Sequence, residues 1–400
     1  MKVKKLLATA GLIGLIALPA QPAAGKEPDL IHMNPLRKLA VELKTLPVDS
    51  PRFIYDSGLT FEYPDAVRGI YVTGLSAGGS QFHELVKLIE TTDLNAMVID
   101  VKDDWGNVTF KTDKDSPYAG IGESYINNPR ELLKIMEEKQ IYPIARIVVF
   151  KDSLLAKKNP GLSFRNGEKL WVNNRGEAFV NPFLKEVWDY NVGIAIEAAK
   201  LGFKEIQFDY VRFPEGFENR DQQLKYEMGE YKNIKEDNVH KRVHAVTDFV
   251  AYAREKLKPY GVQVSVDIFG YTATLPEAPG IGQNFSKISE NVDVISSMIY
   301  PSHWTSYFGI AKPDLEPYKL VREYAKVENA KLSELENPPV SRPWIQDFTA
   351  SYLGSGNYKV YGKAEVEAQI KALHDSGIKE FLLWNAGNVY TKNVDYIPEE

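Results

Sequence analysis

The sequence predicts a single (β/α)₈ barrel, or TIM barrel, with long βα loops. From about residue 65, short apolar runs rich in β-branched residues alternate with amphipathic segments of helical period, which is typical of βαβ units and a parallel sheet. Eight such runs are present. No GxGxxG motif follows the first run, which argues against an open doubly wound sheet.

Each element is placed by its periodicity and its flanking residues. Pro129 follows two asparagines and suits the first turn of a helix, and Gly202 and Gly377 suit left-handed helix ends. The predicted strands are Arg68–Gly74, Ala96–Asp103, Tyr142–Phe150, Glu205–Phe213, Val262–Gly270, Val292–Pro301, Pro343–Thr349 and Glu380–Ala386. The predicted helices are Gln81–Glu90, Pro129–Lys139, Phe183–Leu201, Val239–Leu257, Asn284–Glu290, Leu315–Lys326 and Lys363–Ser376.

The long insertions all follow strands. They are Lys151–Pro182, Pro214–Asn238 and Ala350–Gly362, whereas the turns that lead into strands are short. Because active sites of (β/α)₈ barrels are built from the loops after the strands, the functional site is expected at the carboxyl ends of the strands. The glycine-rich segment Ser76–Ser80 lacks a phosphate-loop lysine and is interpreted as a βα turn.

The N-terminus predicts an exported protein. Lys2, Lys4 and Lys5 precede the apolar run Leu6–Leu18, and small residues follow as far as Gly25, as in a signal peptide. An uncleaved membrane anchor is the alternative, although the run is short for a span. The absence of cysteine excludes disulfides and a lipidated N-terminus. We expect a signal peptide (1–25), a linker or arm (26–64) and a catalytic barrel (65–400), secreted or at the surface of a bacterium, without a membrane span in the mature chain.

The charge distribution of the chain indicates which classes of binding partner to expect. The formal net charge is −6 with both signs interspersed. A nucleic-acid-binding protein would need a basic patch to neutralise phosphates, so nucleic acid is not expected as a partner. Aromatic residues make up 12% of the chain, which suits stacking on sugars but equally suits a core. The oligomeric state is not indicated by the sequence.

Three aspartates lie near the carboxyl ends of predicted strands. They are Asp209 on the fourth, Asp267 on the fifth and Asp347 on the seventh. A carboxylate in an apolar strand is costly to bury without partners, and Arg212 or Lys102 is expected to supply the opposite charge to Asp209. Because the ends of adjacent strands lie close together in a barrel, carboxylates at these ends can contact the same ligand. The alternative for Asp209 is a structural ion pair at the barrel mouth.

Other polar and aromatic residues recur at the same level of the barrel. Rings can stack on the CH faces of a sugar while amides, imidazoles and charged groups bind its hydroxyls. For His303, a packed structural role is an equally good interpretation. The candidate substrate-binding residues are Asp100, Lys102, Arg146, Arg212, Tyr300, His303, Trp304, Gln346, Trp384 and Asn385.

Three motifs carry a family resemblance. They are Phe-Asp-Tyr-Val-Arg-Phe-Pro (208–214), Val-Asp-Ile-Phe-Gly (266–270) and Met-Ile-Tyr-Pro-Ser-His-Trp (298–304). They resemble a bacterial family of predicted glycoside hydrolase domains related to the α-amylase type of barrel, over about residues 65–393. The resemblance implies a nucleophile at Asp209, an acid/base at Asp267 and a stabilising carboxylate at Asp347. α-Amylases use glutamate on the fifth strand, so the aspartate at position 267 departs from their pattern.

Together these observations predict an exported, retaining glycoside hydrolase that acts on a poly- or oligosaccharide, with no cofactor and no metal. A non-catalytic carbohydrate-binding barrel is one alternative. A metal-dependent polysaccharide deacetylase is another, although only His303 is suitably placed for its His/Asp triad. His240 and His244 do not form an HExxH motif, and there is no Gly-x-Ser-x-Gly elbow, so a zincin and a serine hydrolase are not expected.

Overall fold

The computed structural model describes residues 54–398, so the predicted signal peptide and most of the predicted arm lie outside the described residues. Eight parallel strands form a closed barrel, in which each strand pairs with its neighbours in the chain and the last pairs with the first. The strands are β1 (Arg68–Val72), β2 (Ala96–Lys102), β3 (Tyr142–Val148), β4 (Glu205–Asp209), β5 (Gln263–Phe269), β6 (Val294–Met298), β7 (Trp344–Gln346) and β8 (Phe381–Trp384).

Helices follow the strands and cover the outside of the barrel. The main helices are α1 (Gln81–Glu90), α2 (Pro129–Glu138), α3 (Lys185–Leu201), α4 (Asn238–Leu257), α5 (Phe285–Ser289), α6 (Pro317–Ser333) and α7 (Lys363–His374). Two shorter helices, Gly74–Gly78 and Ser153–Lys158, and a two-stranded hairpin, Arg165–Asn166 with Lys169–Leu170, lie in the βα loops. The segment Val340–Ser341 pairs with β6 ahead of β7. The predicted (β/α)₈ barrel is therefore confirmed.

Two elements differ instructively from prediction. β4 was expected to continue to Phe213, but it ends at Asp209 because Tyr210 adopts a φ of 52°, which a strand does not accommodate. The segment interpreted as a βα turn begins inside the helix Gly74–Gly78, which is capped by the Thr73 hydroxyl. A Cβ on Gly78 would lie 1.6 Å from the Tyr125 carbonyl oxygen, so glycine is required there by close packing.

The apolar core has two layers. A small cluster fills the inside of the barrel, with Val98, Ile144, Trp344 and Leu382 among its members. A much larger cluster lies between the strands and the helices. Since both faces of each strand are covered, the strands are apolar runs with little alternation, as parallel sheets usually are.

The amino end of the barrel is closed by a buried ion cluster. The Arg342 guanidinium, which is fully buried, donates to both Glu205 carboxylate oxygens at 2.8 Å and to Glu380 Oε2 at 2.7 Å. It also donates to the hydroxyl of Tyr63 at 2.8 Å. Burial alone would lower the pKa of Arg342, but the carboxylates of Glu205 and Glu380 raise it. This end of the molecule is thus sealed.

Residues 54–64, the described part of the predicted arm, contact this same end. The Tyr55 amide donates to the Pro259 carbonyl at 2.7 Å, and Lys204 Nζ donates to the Leu59 carbonyl at 2.6 Å. Between residues 54 and 398, no helix combines the length and the apolar composition needed to cross a membrane.

Candidate active site

A cleft of about 850 Å³ opens at the carboxyl end of the barrel. Strand ends from β3 to β8 form its floor, and the loops after β2 to β6 form its walls. Its lining residues are Asp104, Trp105, Arg146, Lys151, Arg175, Glu177, Asp209, Tyr210, Arg212, Glu215, Asp267, Phe269, Gly270, Tyr271, Thr274, Leu275, Met298, Tyr300, His303, Trp304, Thr305, Tyr307, Trp344 and Trp384. Its position is the one at which (β/α)₈ enzymes build active sites.

Asp209 on the floor is held by an arginine from the neighbouring strand. Arg146 Nε and Nη2 both donate to Asp209 Oδ2, at 2.9 and 2.6 Å. Asp209 is 5% exposed and Arg146 is 1% exposed. A charge-assisted pair of this kind fixes the orientation of the carboxylate. The other oxygen, Oδ1, accepts the amide N–H of Tyr210 at 2.6 Å.

The backbone at Tyr210 helps to orient this carboxylate. Its φ of 52° lies in the left-handed region, which costs a non-glycine residue about 1 kcal/mol or more and tends to occur at functional sites. The turn directs the Tyr210 amide back to Asp209, and the Tyr210 hydroxyl accepts a hydrogen bond from Lys151 Nζ at 3.1 Å. The segment after β4 is therefore fixed at both its backbone and its side chain.

A second carboxylate lies behind Arg146. Asp100 accepts from Arg146 Nη1 at 2.7 Å and from the Tyr71 hydroxyl at 2.6 Å. Burial raises the pKa of Asp100 to about 6, although Arg146 and the Tyr71 hydrogen bond lower it. Asp104 lies nearer the cleft, 2.9 Å from Lys151 Nζ and 3.6 Å from Arg146 Nη2. Arg146 is thus the centre of a network that positions Asp209.

Asp267, at the end of β5, has a different environment. It is 2% exposed, and its Oδ1 accepts the indole N–H of Trp344 at 2.8 Å. Burial, together with the nearby charge of Asp209, raises its pKa well above the usual range, while the Trp344 hydrogen bond and Arg146 lower it. Burial thus favours the protonated form of Asp267.

Aromatic rings surround the two carboxylates. Trp384 stacks on Tyr71 with ring centroids 4.2 Å apart and contacts Trp344 edge-on. Trp105 is 55% exposed at one side of the cleft, and Tyr271 is 37% exposed at another. Flat apolar surfaces beside polar groups suit a carbohydrate ring, whose faces are apolar and whose edges carry hydroxyls.

The structure brings eight of the predicted site residues to the cleft and leaves five elsewhere. Those that line it are Arg146, Asp209, Arg212, Asp267, Tyr300, His303, Trp304 and Trp384. Partial desolvation at the cleft wall lowers the pKa of the His303 imidazole. The predicted residues that do not line it are Asp100, Lys102, Gln346, Asp347 and Asn385.

The five residues outside the lining have other partners. Asp100 supports Arg146 from behind. Gln346 donates to Asp314 and accepts the Ser302 amide. The side-chain amide of Asn385 donates to the carbonyl oxygens of Asp347 and Val389. The Asp347 carboxylate accepts hydrogen bonds from the amide and the hydroxyl of Thr391. These groups shape the floor and the loops after β7 and β8.

The expected charge partners of Asp209 require a correction. Lys102 is fully buried on the helix side of β2, where its Nζ lies 2.7 Å from Asp152 and donates to Asn191 at 2.9 Å. Arg212 forms its ion pair with Glu215. Arg146 takes the place predicted for them because its strand is adjacent to β4 and the side chains of Arg146 and Asp209 both enter the barrel mouth.

Among residues 54–398 no group of three or more His, Asp or Glu side chains is arranged to hold a metal ion. The aspartates around Arg146 form an ion-pair network, in which Arg146 lies 2.7 Å from Asp100, 3.6 Å from Asp104 and 2.6 Å from Asp209.

A family model described as "Putative glycosyl hydrolase domain" matches residues 69–390. The chain belongs to this family. The match includes every strand but the first residue of β1, as well as both carboxylates of the cleft. The predicted enzyme class, a glycoside hydrolase, is that of the family, and the substrate class is carbohydrate. No curated protein matches the chain.

Solved structures share the barrel. The glycoside hydrolase domain of PgaB (BpsB) from Bordetella bronchiseptica is 13% identical, with a TM-score of 0.54 over 81% of this chain and 95% of that chain. An alpha-amylase from Lactobacillus plantarum is 13% identical, with a TM-score of 0.50 over 81% and 71%. A hypothetical protein from Ruminiclostridium thermocellum is 32% identical over 50% of this chain and 96% of its own, with a TM-score of 0.43. The first two likenesses support the fold.

Several cleft residues of this glycosyl hydrolase domain were not predicted from the sequence. They are charged or aromatic residues of the βα loops, chiefly Asp104, Trp105, Lys151, Glu177 and Tyr271. Asp104 and Trp105 directly follow the end of β2, and Lys151 follows β3 by three residues. Position just after a strand was thus an available signal for four of them, since Tyr271 also follows β5 by two residues, whereas Glu177 lies deep inside a long loop.

Proposed function

We propose that the protein is a retaining glycoside hydrolase, exported from the cell, that cleaves a polysaccharide with Asp209 as nucleophile and Asp267 as acid/base. The observation that carries the proposal is the placement of two carboxylates with opposite environments in one cleft. Asp209 is paired with Arg146, whereas the buried Asp267 forms no ion pair with any residue between 54 and 398. Glycosidases use such a pair, one carboxylate ionised and one protonated.

The register of the strands supports a retaining reaction. Phe208 of β4 pairs with Val266 of β5, and Asp209 and Asp267 are the next residues along. Adjacent strands are about 4.8 Å apart. Carboxyl groups about 5–5.5 Å apart suit a retaining enzyme, whereas inverting enzymes need a wider gap for a water molecule.

The reaction would proceed in two steps. A carboxylate oxygen of Asp209 attacks the anomeric carbon while Asp267 gives its proton to the glycosidic oxygen, so that the leaving sugar departs as an alcohol. Asp267, now ionised, then takes a proton from water, which attacks the glycosyl ester and releases Asp209. Arg146 holds Asp209 in place for attack through two hydrogen bonds to Oδ2, and the proton taken from water in the second step returns Asp267 to its acid form.

The arrangement that would favour a non-catalytic barrel is not found in the described residues. Such a barrel would be favoured if Asp209 and Asp267 were bound to Arg212 and Lys102 with no open cleft between the two aspartates. Instead, both aspartates line an open cleft, and Lys102 and Arg212 have other partners.

The direct test is a screen of structural polysaccharides and exopolymers with the purified protein, followed by NMR analysis of the product. We expect a new reducing end whose anomeric configuration is initially the same as that of the cleaved bond. Release of the opposite anomer would overturn the retaining assignment. Binding of a polymer without cleavage of any in the panel would favour the carbohydrate-binding barrel instead.

The proton on Asp267 predicts how activity depends on pH. Because the protonated form is required, kcat/KM should fall as the pH rises through the pKa of Asp267. The Trp344 hydrogen bond lowers this pKa, so Trp344→Phe should move the alkaline limb to higher pH. Trp384→Phe is the matched control, since Trp384 lines the same cleft while the indole bonded to Asp267 is that of Trp344. An unchanged limb in Trp344→Phe would contradict the assignment of Asp267.

Export is proposed from the composition of residues 1–25, which lie outside the described part of the chain. Lysines followed by an apolar run make up the first two parts of a signal peptide, and the small residues after them supply the site that a signal peptidase needs. Sequencing of the mature N-terminus should find cleavage close to residue 25, and an intact Met1 in the cell-surface fraction would indicate an anchor instead.

A further inference from the structure

A second cavity of about 260 Å³ adjoins the catalytic cleft. The two share five lining residues, namely Arg175, Glu177, Tyr210, Arg212 and Glu215. The path from Asp209 therefore continues over Tyr210 into a side chamber. A polymer that places one sugar at Asp209 can place a further sugar there.

The wall of the chamber consists of loops whose backbone is held by hydrogen bonds. The loops after β3 and β4 are joined by a two-way backbone pairing between Arg165 and Lys225, at 3.0 and 2.8 Å. The Asn173 side chain accepts the amides of Arg175 and Glu177 at 2.9 and 3.0 Å, which fixes a tight turn. Trp171 forms a further part of the lining.

The chamber carries more positive charge than its own carboxylates neutralise. Glu177 is engaged by Lys151 at 3.2 Å and by Asn173 at 2.7 Å. Glu215 is engaged by Arg212 at 3.1 Å. Two lining arginines remain, Arg175 and Arg220, and neither forms an ion pair with any described residue.

These two arginines are exposed, but they are carried on ordered backbone. Arg175 lies in the turn held by Asn173. The Arg220 amide donates to the Phe217 carbonyl at 2.9 Å, and its guanidinium lies over the Trp171 ring, 5.8 Å from the centroid. An arginine beside an indole offers a sugar both a stacking surface and a planar donor pair, and a guanidinium binds carboxylates and oxyanions with two parallel hydrogen bonds.

Arg212 marks the junction between the two cavities. It is 5% exposed and packs between the rings of Tyr210 and Phe269, 4.8 and 4.7 Å from their centroids. Its position is therefore rigid, and its charge faces both the reaction centre and the chamber.

We propose that this chamber, defined by Trp171, Arg175, Arg212 and Arg220, binds an acidic sugar unit, and hence that the polysaccharide cleaved by the enzyme is anionic. The acidic group is a carboxylate or a sulfate ester, both of which match the donor pairs of Arg175 and Arg220. This inference rests on the proposed function for the presence of a sugar chain in the cleft, but the charge preference of the chamber can be measured without turnover.

The test is a calorimetric comparison of binding. Oligogalacturonate and its carboxyl-reduced form test whether the chamber binds a carboxylate. Sulfated and desulfated carrageenan oligosaccharides test whether it binds a sulfate ester. The proteins are the wild type, the double variant Arg175→Gln/Arg220→Gln, and the control Lys225→Gln. Lys225 carries one positive charge on the same wall but is not part of the chamber lining.

We expect the wild type and Lys225→Gln to bind at least one acidic probe about 10-fold or more tightly than its neutral partner, because charge-assisted pairs to arginine are lost with the charge. The double variant should bind the two forms equally. Equal binding of acidic and neutral probes by the wild type, or a preference that persists in the double variant, would overturn the proposal. If the preference is present while no polysaccharide is cleaved, the proposed function fails and the chamber assignment stands.

Discussion

Asp209→Asn is expected to lower the rate of polysaccharide hydrolysis by more than about 100-fold, because an amide cannot form the glycosyl ester. Asparagine keeps the shape of the side chain, and its one carbonyl oxygen can still accept from Arg146 at the position of Oδ2, so that only the hydrogen bond from the Tyr210 amide to Oδ1 is lost. The fold should therefore be retained, and the loss should appear in kcat and kcat/KM measured with the substrate found in the screen.

A matched variant and a chemical rescue make this prediction specific. Asp375→Asn changes an aspartate that directly follows α7, at the opposite end of the barrel, and should leave the rate unchanged. In Asp209→Gly, added azide should restore turnover by attacking the anomeric carbon directly, which gives a glycosyl azide of inverted configuration. Wild-type turnover by Asp209→Asn would remove Asp209 from the mechanism.

Arg342→Met is expected to destabilise the protein by about 3–5 kcal/mol, the usual cost of removing one partner from a buried ion pair. Glu205 is fully buried and Glu380 is 7% exposed, and both would lose their cationic partner at the sealed end of the barrel. The measurement is the free energy of unfolding from chemical denaturation at pH 7.

An exposed pair provides the comparison for this prediction. Arg322 lies 3.6 Å from Asp375, and its side chain is 40% exposed, so Arg322→Met should change the free energy of unfolding by less than about 1 kcal/mol. Arg342→Met should be rescued in part by a second change, Glu205→Gln, which removes the stranded charge. A loss in Arg342→Met no larger than that in Arg322→Met would show that the cluster is not important for stability.

The architecture followed from the sequence because the strands of a closed parallel barrel are covered on both faces. Each strand is then a short apolar run, and each helix has one apolar side, so the alternation of elements is visible in the printed residues. α1 begins and ends where the pattern predicts. The errors occur at strand ends, as at β4, where a left-handed Tyr210 stops a run that remains apolar as far as Phe213.

The sequence predicted where the site lies better than it predicted which side chains contact each other there. A carboxylate at the end of an apolar strand is conspicuous, and this placed Asp209 and Asp267 at one end of the barrel. Which cation faces Asp209 depends on the stagger of β3 against β4, which pairs Arg146 with Gln207 and Val148 with Asp209. Neither the stagger nor the loop that brings Lys151 to Tyr210 has a local signal in the sequence.

By itself, the sequence determined the alternation of strands and helices, the barrel, and the strand ends at which acidic residues accumulate, because these depend on short-range periodicity. Only the tertiary structure decided that Arg146, rather than Lys102 or Arg212, faces Asp209. It also decided that Asp267 accepts a hydrogen bond from the Trp344 indole and that Asp347 accepts one from Thr391. The reason is physical. The partner of a buried charge is set by which side chains the closed barrel directs into the same small volume, and residues far apart in the chain meet there only after the strands have paired.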